Sequence, residues 1–257
     1  MCCAAGPHLT DALLEEVLAL AGRTDSVELT LCLPDPDRHV AVRSLDIDVL
    51  DAAIRQVYFF DTPDLQCNGA GVAVRARRLQ GRGDDSMIKL RPVVPDDLPP
   101  ELRRSRDLVV EIDVLPQAFV CSASLQNAQP DGAVREVIHG TGGIRTLFSK
   151  DQLAFFREHA PAGITINDLS PLGPITVLEV TYRPDELVRP FVAELWMYPD
   201  GTRILELSTT CPPAAVRQVA ADTRAYLAGC GVHLSEEQQA RTTAALELFS
   251  AELAGPL

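Results

Sequence analysis

The sequence predicts an α+β fold in which eight antiparallel β-strands close into a barrel or tunnel, with a helical insertion and C-terminal helices. Segments with strand-like alternation recur at short intervals between residues 26 and 210. Each of several segments carries charged residues on one of its faces. Apolar residues at helical spacing occur before, between and after these segments.

Length and composition set the first limits on function. The chain has 257 residues, of which 46% are hydrophobic, so it can bury a substantial core. A run of about 18 apolar residues, which a transmembrane helix needs, is absent from the sequence. A net charge of -13 argues against nucleic acids and anionic membranes as partners. We therefore expect a cytoplasmic protein with a single domain over residues 1–257.

The cysteines favour the same location. The chain has seven, at positions 2, 3, 32, 67, 121, 211 and 230, and they show no C-x-x-C spacing. Neighbouring histidines that would complete a zinc site are also absent from the sequence. This pattern indicates reduced cysteines in a cytoplasmic protein.

The elements follow one another from the first helix onwards. Residues 11–21 have helical periodicity, with Thr10 as the expected N-cap. Strands are predicted at 26–32, 56–61, 71–78, 86–92, 107–115, 174–183, 190–198 and 202–209. Asp200-Gly201 predicts a tight hairpin between the last two strands. Residues 116–172 are predicted to be a helical insertion, which contains an amphipathic helix at 147–160 capped by Ser149.

Two C-terminal helices are predicted at Pro213–Ala228 and Glu236–Leu253. The predicted tunnel strands therefore lie within about 26–210, and the final helices within 212–253. Asp61 and Thr62 are expected to cap or turn the chain before the strand at 71–78.

The charges on the strands are the feature that needs an explanation. Arg75 with Arg77, and Lys89 with Arg91, are like-charge doublets on single strand faces. Other strands carry carboxylates in equivalent positions: Glu28, Glu111, Asp113, Glu194 and Glu206. A solvated outer face explains any one strand, but like charges on neighbouring positions repel each other. An acidic and a basic half facing each other would suit a polyanion bound with a divalent metal.

The ordered set of charged strands resembles the CYTH domains, or triphosphate tunnel metalloenzymes. The resemblance rests on YFFDTPDLQCNGAGVAVRARR (58–78), MIKLRP (87–92), VEIDVLP (110–116) and AELWMYPDGTRILELST (193–209), in the family order. It implies an eight-stranded antiparallel tunnel that binds triphosphates with Mg²⁺ or Mn²⁺. Family members include inorganic, thiamine and RNA triphosphatases and class IV adenylate cyclases.

The resemblance also implies roles for particular residues. The phosphate-binding residues would be Arg75, Arg77, Lys89, Arg91 and Arg183. The metal ligands would be Glu28, Glu111, Asp113 and Glu206, and the first three of these would be catalytic.

The chain departs from the family pattern at both ends of the tunnel region. The opening Glu-x-Glu-x-Lys pattern is replaced by Glu28-x-Thr30-x-Cys32, and the closing Glu-x-Glu by Glu206-x-Ser208. Since Mg²⁺ sites often need only one or two protein carboxylates, these changes weaken the predicted metal site without excluding it.

Two hypotheses follow. The first is a metal-dependent hydrolase of inorganic triphosphate, a nucleotide or thiamine triphosphate. The second is a non-catalytic module that keeps the cationic strands and has lost the metal site. A cyclase is a weaker third interpretation, because no residue identifies a pocket for adenine. Homodimerisation through the C-terminal helices and packing of those helices on their own barrel are both compatible with the sequence.

Overall fold

The structure is a computed structural model. It describes residues 11–33, 35–115 and 118–232. The chain divides into two compact units, each built from separated stretches of sequence. The first unit contains the described residues of Met1–Ala53, Val110–Cys121 and Leu178–Gln239. The second unit contains those of Ile54–Val109 and Ser122–Val177.

The described residues contain nine β-strands. They are β1 (Ser26–Leu33), β2 (Ala53–Asp61), β3 (Val72–Leu79), β4 (Asp85–Leu90), β5 (Leu108–Leu115), β6 (Ala118–Ala128), β7 (Ser170–Tyr182), β8 (Phe191–Met197) and β9 (Arg203–Cys211). Their hydrogen-bonded order is β1-β5-β6-β4-β3-β2-β7-β8-β9, and the sheet closes into a barrel. The predicted α+β class and closed barrel are therefore confirmed.

Two details of the predicted barrel are wrong. The described strands number nine instead of eight, because β6 occupies the start of the segment predicted as a helical insertion. The barrel is also not wholly antiparallel, since β1 pairs with β5 in parallel. The remaining eight strands begin and end within a few residues of their predicted bounds.

Seven α-helices lie in the described residues. They are α1 (Asp11–Leu20), α2 (Asp35–Ser44), α3 (Gln66–Gly69), α4 (Pro100–Arg103), α5 (Ala133–Ile138), α6 (Lys150–His159) and α7 (Val216–Gly229). The predicted helices at 11–21, 147–160 and 213–228 correspond to α1, α6 and α7, whereas α2 was not predicted. The predicted N-cap Thr10 and the predicted helix Glu236–Leu253 lie outside the described residues. In the part of the chain that is described, every helix is too short or too polar to cross a membrane.

The first unit has a core between helices and strands. Leu33 of β1, Phe191 of β8 and Leu207 of β9 are almost completely buried and belong to one hydrophobic cluster. Ala41 and Leu45, in and just after α2, and Leu227 of α7 complete the cluster's helical side. The predicted hairpin between β8 and β9 is confirmed, and Gly201 adopts a left-handed φ of +89° at its turn.

The second unit shows the alternation that the sequence predicts for the arginine strand. Val72, Val74 and Ala76 of β3 are buried, and Arg75 and Arg77 on the other face are only half-buried. Successive strand residues point to opposite faces, so one face of β3 is apolar and the other is cationic.

Asp61 and Thr62 turn the chain ahead of β3, as predicted. The Asp61 carboxylate, 2% exposed, accepts hydrogen bonds from the backbone N–H groups of Thr62, Cys67 and Asn68 at 2.7–2.9 Å. These bonds satisfy donors at the start of α3 that have no partner within the helix. Burial, and secondarily the nearby Asp61 charge, raises the pKa of the Cys67 thiol to about 12. Asp61 is thus a structural residue of this turn.

Helix α6 is tied to the strands of its unit by one buried amide. Gln152 completes a capping box with Ser149, which confirms the predicted cap. Its Nε2 donates to the carbonyl oxygens of Ser86 and Leu125 at 3.1 and 3.0 Å, and its Oε1 accepts from Ser86 Oγ at 3.2 Å. The side chain is 1% exposed. This amide therefore joins α6 to β4 and β6.

Candidate functional site

The carboxylates of the first unit lie on one face of neighbouring strands. The parallel register of β1 and β5 places Glu28 beside Asp113 and Ser26 beside Glu111. The Ser26 hydroxyl donates to Glu111 Oε1 at 2.7 Å. Because paired residues project to the same side of a sheet, Glu28, Glu111 and Asp113 share one face.

These three carboxylates converge. One oxygen from each lies within 4.8 Å of the others, which is close enough for a single cation to be held by all three. Asp113 is 6% exposed, whereas Glu28 and Glu111 are partly accessible. The neighbouring Cys121 thiol has a raised pKa, mainly from burial and to a smaller extent from the Asp113 charge. Three predicted site residues from two distant segments are thus brought together.

Glu206, the fourth predicted metal ligand, has a different partner. It lies on β9 opposite Cys32 of β1, and the Cys32 thiol donates to its carboxylate at an Sγ–Oε2 distance of 3.7 Å. Glu206 is only 2% exposed and does not belong to the converging group of three found among the described residues.

The two hydroxyl residues that stand where the resemblance implies carboxylates are neighbours. Thr30 of β1 lies directly opposite Ser208 of β9 in the antiparallel register. Both side chains are buried. A pair of hydroxyl residues therefore lies across β1 and β9, and the three converging carboxylates lie across β1 and β5.

Glu194 and Arg183 of the first unit do not belong to the converging group of three carboxylates. Glu194 lies opposite Glu206 across the β8–β9 pair and accepts a hydrogen bond from Trp196 Nε1 at 3.2 Å. Trp196 is 3% exposed, so its ring is packed instead of lining an open surface. Arg183, a predicted phosphate ligand, is exposed in the turn that follows β7.

Three of the four predicted cationic residues of the second unit, Arg75, Arg77 and Lys89, lie on β3 and β4. In the antiparallel register, Lys89 pairs with Ala73, and Arg75 pairs with Met87. Arg75 Nη2 lies 3.4 Å from the Met87 sulfur. Arg75, Arg77 and Lys89 therefore share a face, which we call the cationic face, and all three are half-buried.

Asp85 is a charged residue of this face that sequence reasoning missed. It lies directly opposite Arg77 in the β3–β4 register. Its carboxylate accepts from Arg77 Nε at 2.9 Å and from Arg77 Nη2 at 2.6 Å, so the pair is bidentate. Asp85 lies just before the strand predicted at 86–92, but β4 begins at this residue. Its spacing of two from Met87 and four from Lys89 was the available signal.

Arg91 lies one residue beyond the end of β4. Its backbone N–H donates to the Gly71 carbonyl at 2.8 Å, which places the residue beside the start of β3. Gly71 has a φ of +76°, and a Cβ at this position would overlap the Arg91 carbonyl oxygen. The close approach of the two backbones therefore requires glycine at position 71.

We expect Gly71→Ala to lower the free energy of unfolding by about 2–4 kcal/mol, from left-handed strain and from overlap with Arg91. Gly81→Ala is the matched control, because Gly81 has a similar φ of +69° and nothing lies within 4 Å of its added methyl. Urea titration of both variants separates the two contributions. Equal losses would show that the contact with Arg91 is unimportant.

The burial of these charges decides between the two interpretations of the strand faces. A solvated outer face predicts exposed carboxylates and cations, but Asp85, Asp113 and Glu206 are at most 6% exposed. The Arg77 side chain is 15% exposed. Charged side chains are seldom buried unless they are paired or bind an ion. The charged strand faces are therefore not an ordinary solvent-facing surface.

Comparison with known proteins supports the fold. Neither a family model nor a curated protein sequence matches the chain. A solved structure of a proposed adenylate cyclase from Bacillus halodurans matches with a TM-score of 0.59 at 11% identity, covering 86% of this chain and 97% of that one. HpAC1 from Hippeastrum, a proposed adenylyl cyclase with a dominant triphosphatase activity, matches with a TM-score of 0.59 at 17% identity, covering 87% and 95%. The chain shares the fold of these two structures. At these identities the likeness concerns the fold alone.

Proposed function

We propose that this CYTH-fold chain binds a triphosphate together with a divalent cation and hydrolyses the triphosphate. The observation that carries the proposal is the presence of buried and half-buried charged side chains on strand faces, with three carboxylates in one group and cations in another. A metal–triphosphate complex requires both kinds of group, because carboxylates bind the metal and guanidinium or ammonium groups bind phosphate oxygens.

The carboxylate group fits Mg²⁺ or Mn²⁺. Hard oxygen donors suit these cations, and Glu28, Glu111 and Asp113 offer one oxygen each within 4.8 Å. In this proposal these three residues hold the catalytic cation, and Glu206 adds negative charge or a further ligand on β9. When bound, such a cation polarises phosphate and lowers the pKa of a coordinated water.

The cations of the second unit, Arg75, Arg77, Lys89 and Arg91, would bind the phosphate oxygens. Charge-assisted hydrogen bonds from such groups neutralise the charge that develops during phosphoryl transfer. Arg183 stays a proposed ligand from an exposed turn.

Inorganic triphosphate, a nucleoside triphosphate or thiamine triphosphate would be the substrate. The dominant triphosphatase activity of HpAC1, a protein of the same fold, favours hydrolysis over cyclisation. The net charge of -13 favours a small-molecule substrate over nucleic acid, and the scattered cysteines without C-x-x-C spacing favour a cytoplasmic location. A homodimer stays an open part of the proposal.

A non-catalytic phosphate- or nucleotide-binding module is the second candidate. It is favoured by the adjacent hydroxyl residues Thr30 and Ser208, and by Cys32 beside Glu206. These neutral residues occupy family carboxylate and lysine positions. Loss of one charge-stabilising group from an active site costs about 10²–10³ in rate. Such a module would keep its anion affinity without turnover.

The test is isothermal titration of inorganic triphosphate and ATP into the protein, with and without Mg²⁺ or Mn²⁺, followed by measurement of released phosphate. We expect metal-dependent binding that Arg75→Ala weakens about 10–100-fold, because one charge-assisted hydrogen-bonding group is lost. Phosphate release would establish the hydrolase, and binding without release the non-catalytic module.

Arg78→Gln is the matched control. Arg78 lies on the same strand as Arg75 but on the opposite face, where its Nη1 donates to Gln56 Oε1 at 2.7 Å. We expect its substitution to leave triphosphate affinity within about twofold, since exposed or remote charges contribute little. Failure of the wild-type protein to bind any triphosphate would refute both candidate functions.

A further inference from the structure

The proposed phosphate-binding residue Arg77 is itself held by a carboxylate. Asp85 accepts the Nε and Nη2 donors of Arg77, which form one edge of the guanidinium group. The other edge, formed by Nη1 and Nη2, points away from this pairing. The ion pair therefore fixes the direction of the Arg77 guanidinium group on the cationic face.

A third residue holds the carboxylate in turn. Gln126 of β6 donates from Nε2 to Asp85 Oδ2 at 3.0 Å. The Asp85 side chain is buried, so its orientation is set by the strands around it and by these two partners. Gln126, Asp85 and Arg77 form a chain of hydrogen bonds across β6, β4 and β3.

The Arg77–Asp85 ion pair is unfavourable for a face that binds anions. A buried ion pair loses hydration free energy that its attraction only partly restores, so it is weak as a stabilising device. A carboxylate also repels phosphate oxygens. The ion pair is useful if the fixed direction of the Arg77 guanidinium matters more than its full charge. Small misplacements of a binding group can lower a reaction rate by large factors.

We propose that Asp85 is a positioning residue, which fixes the guanidinium of Arg77 for a phosphoryl group at the expense of some electrostatic attraction. The inference rests on the proposed function, since it concerns the same phosphate-binding face. It assigns to Asp85 two opposing effects on triphosphate affinity: a favourable one that acts through Arg77, and an unfavourable one that acts directly on the anion.

A double-mutant cycle separates these effects, because they differ in sign. With Arg77 present, Asp85→Asn should weaken the binding of inorganic triphosphate about tenfold, since the fork loses its fixed direction. In an Arg77→Ala background, the same Asp85→Asn change should tighten binding about fivefold, since only the removal of a repelling charge remains. Isothermal titration at fixed salt gives all four dissociation constants.

Gln126→Leu supplies a second route that keeps both charges. It should weaken triphosphate binding in the same direction as Asp85→Asn, by about two- to fivefold, and only while Arg77 is present. Glu15→Gln is the control for loss of an arginine–carboxylate pair as such, because Glu15 pairs with Arg217 on the exposed surface. Urea titration of every variant identifies any that fails to fold.

The outcomes distinguish this inference from the function on which it rests. Wild-type protein that does not bind triphosphate would overturn the proposed function and the role of Asp85 with it. Wild-type binding together with an Asp85→Asn effect of the same sign in both backgrounds would overturn only the positioning role. A reversal of sign, with Gln126→Leu following Asp85→Asn, would establish it.

Discussion

Replacing Asp113 by asparagine should lower the affinity for Mn²⁺ at least about 100-fold, because it removes a charged oxygen donor from the converging group of carboxylates. Asp113 is the most buried of the three, so water cannot easily take its place. Mn²⁺ binding is measured directly by electron paramagnetic resonance, which does not depend on turnover.

Two variants on β8 and β9 define the extent of the site. Glu194→Gln removes the same charge from the same unit, but outside the converging group, and should change Mn²⁺ affinity less than about threefold. Glu206→Gln tests the predicted fourth ligand: a loss as large as that of Asp113→Asn would make it a direct ligand. If Asp113→Asn and Glu194→Gln behave alike, the group of three is not the metal site.

The same substitution should act in the opposite direction on the metal-free protein. Three carboxylates with oxygens within 4.8 Å repel one another when no cation is bound. Asp113→Asn should therefore raise the free energy of unfolding of the metal-free protein by ~1 kcal/mol. Saturating Mn²⁺ should stabilise the wild type and leave the variant nearly unchanged, because a ligand stabilises only the state that binds it.

The charged strand faces could be predicted because their signal is local. The alternation of Val72, Val74 and Ala76 with Arg75 and Arg77 has the period of a strand, and the structure places the two sets on opposite faces. The closing hairpin was likewise predictable from Asp200-Gly201.

Strand β6 and the direction of β5 could not be predicted in this way. AFVCSASLQNA combines small polar residues with weak alternation, because β6 carries buried side chains on parts of both faces. The parallel pairing of Ser26 with Glu111 joins residues 85 positions apart, and periodicity within a strand says nothing about its neighbour. Strand periodicity therefore does not predict the convergence of Glu28 with Glu111 and Asp113, which was expected only from the family resemblance.

Gln152 shows the same limit for a polar core residue. The sequence predicts helix α6 and its Ser149 cap, and a glutamine three residues after a serine is the pattern of a capping box. The pattern gives no indication that the same amide crosses to the strands and bonds to Ser86 and Leu125. Those contacts depend on the packing of α6 on β4.

We expect Gln152→Ala to lower the free energy of unfolding by about 3–5 kcal/mol, the largest loss of stability among the variants considered. The change leaves the buried carbonyls of Ser86 and Leu125 without this donor and opens a cavity at a side chain that is 1% exposed. It also removes the acceptor of the Ser149 backbone N–H. Urea titration measures the loss as a shift of the midpoint at constant slope.

Ser149→Ala isolates the capping part of this effect. It removes the hydroxyl that accepts from the Gln152 backbone N–H at 3.2 Å but leaves the long-range bonds of the amide, so a loss of about 1 kcal/mol is expected. The difference between the two variants measures the connection between α6 and the strands. Similar losses in both would mean that Gln152 acts only as a cap. A much larger loss in Gln152→Ala would show that this amide fixes α6 against β4, the strand that also carries Asp85 and Lys89.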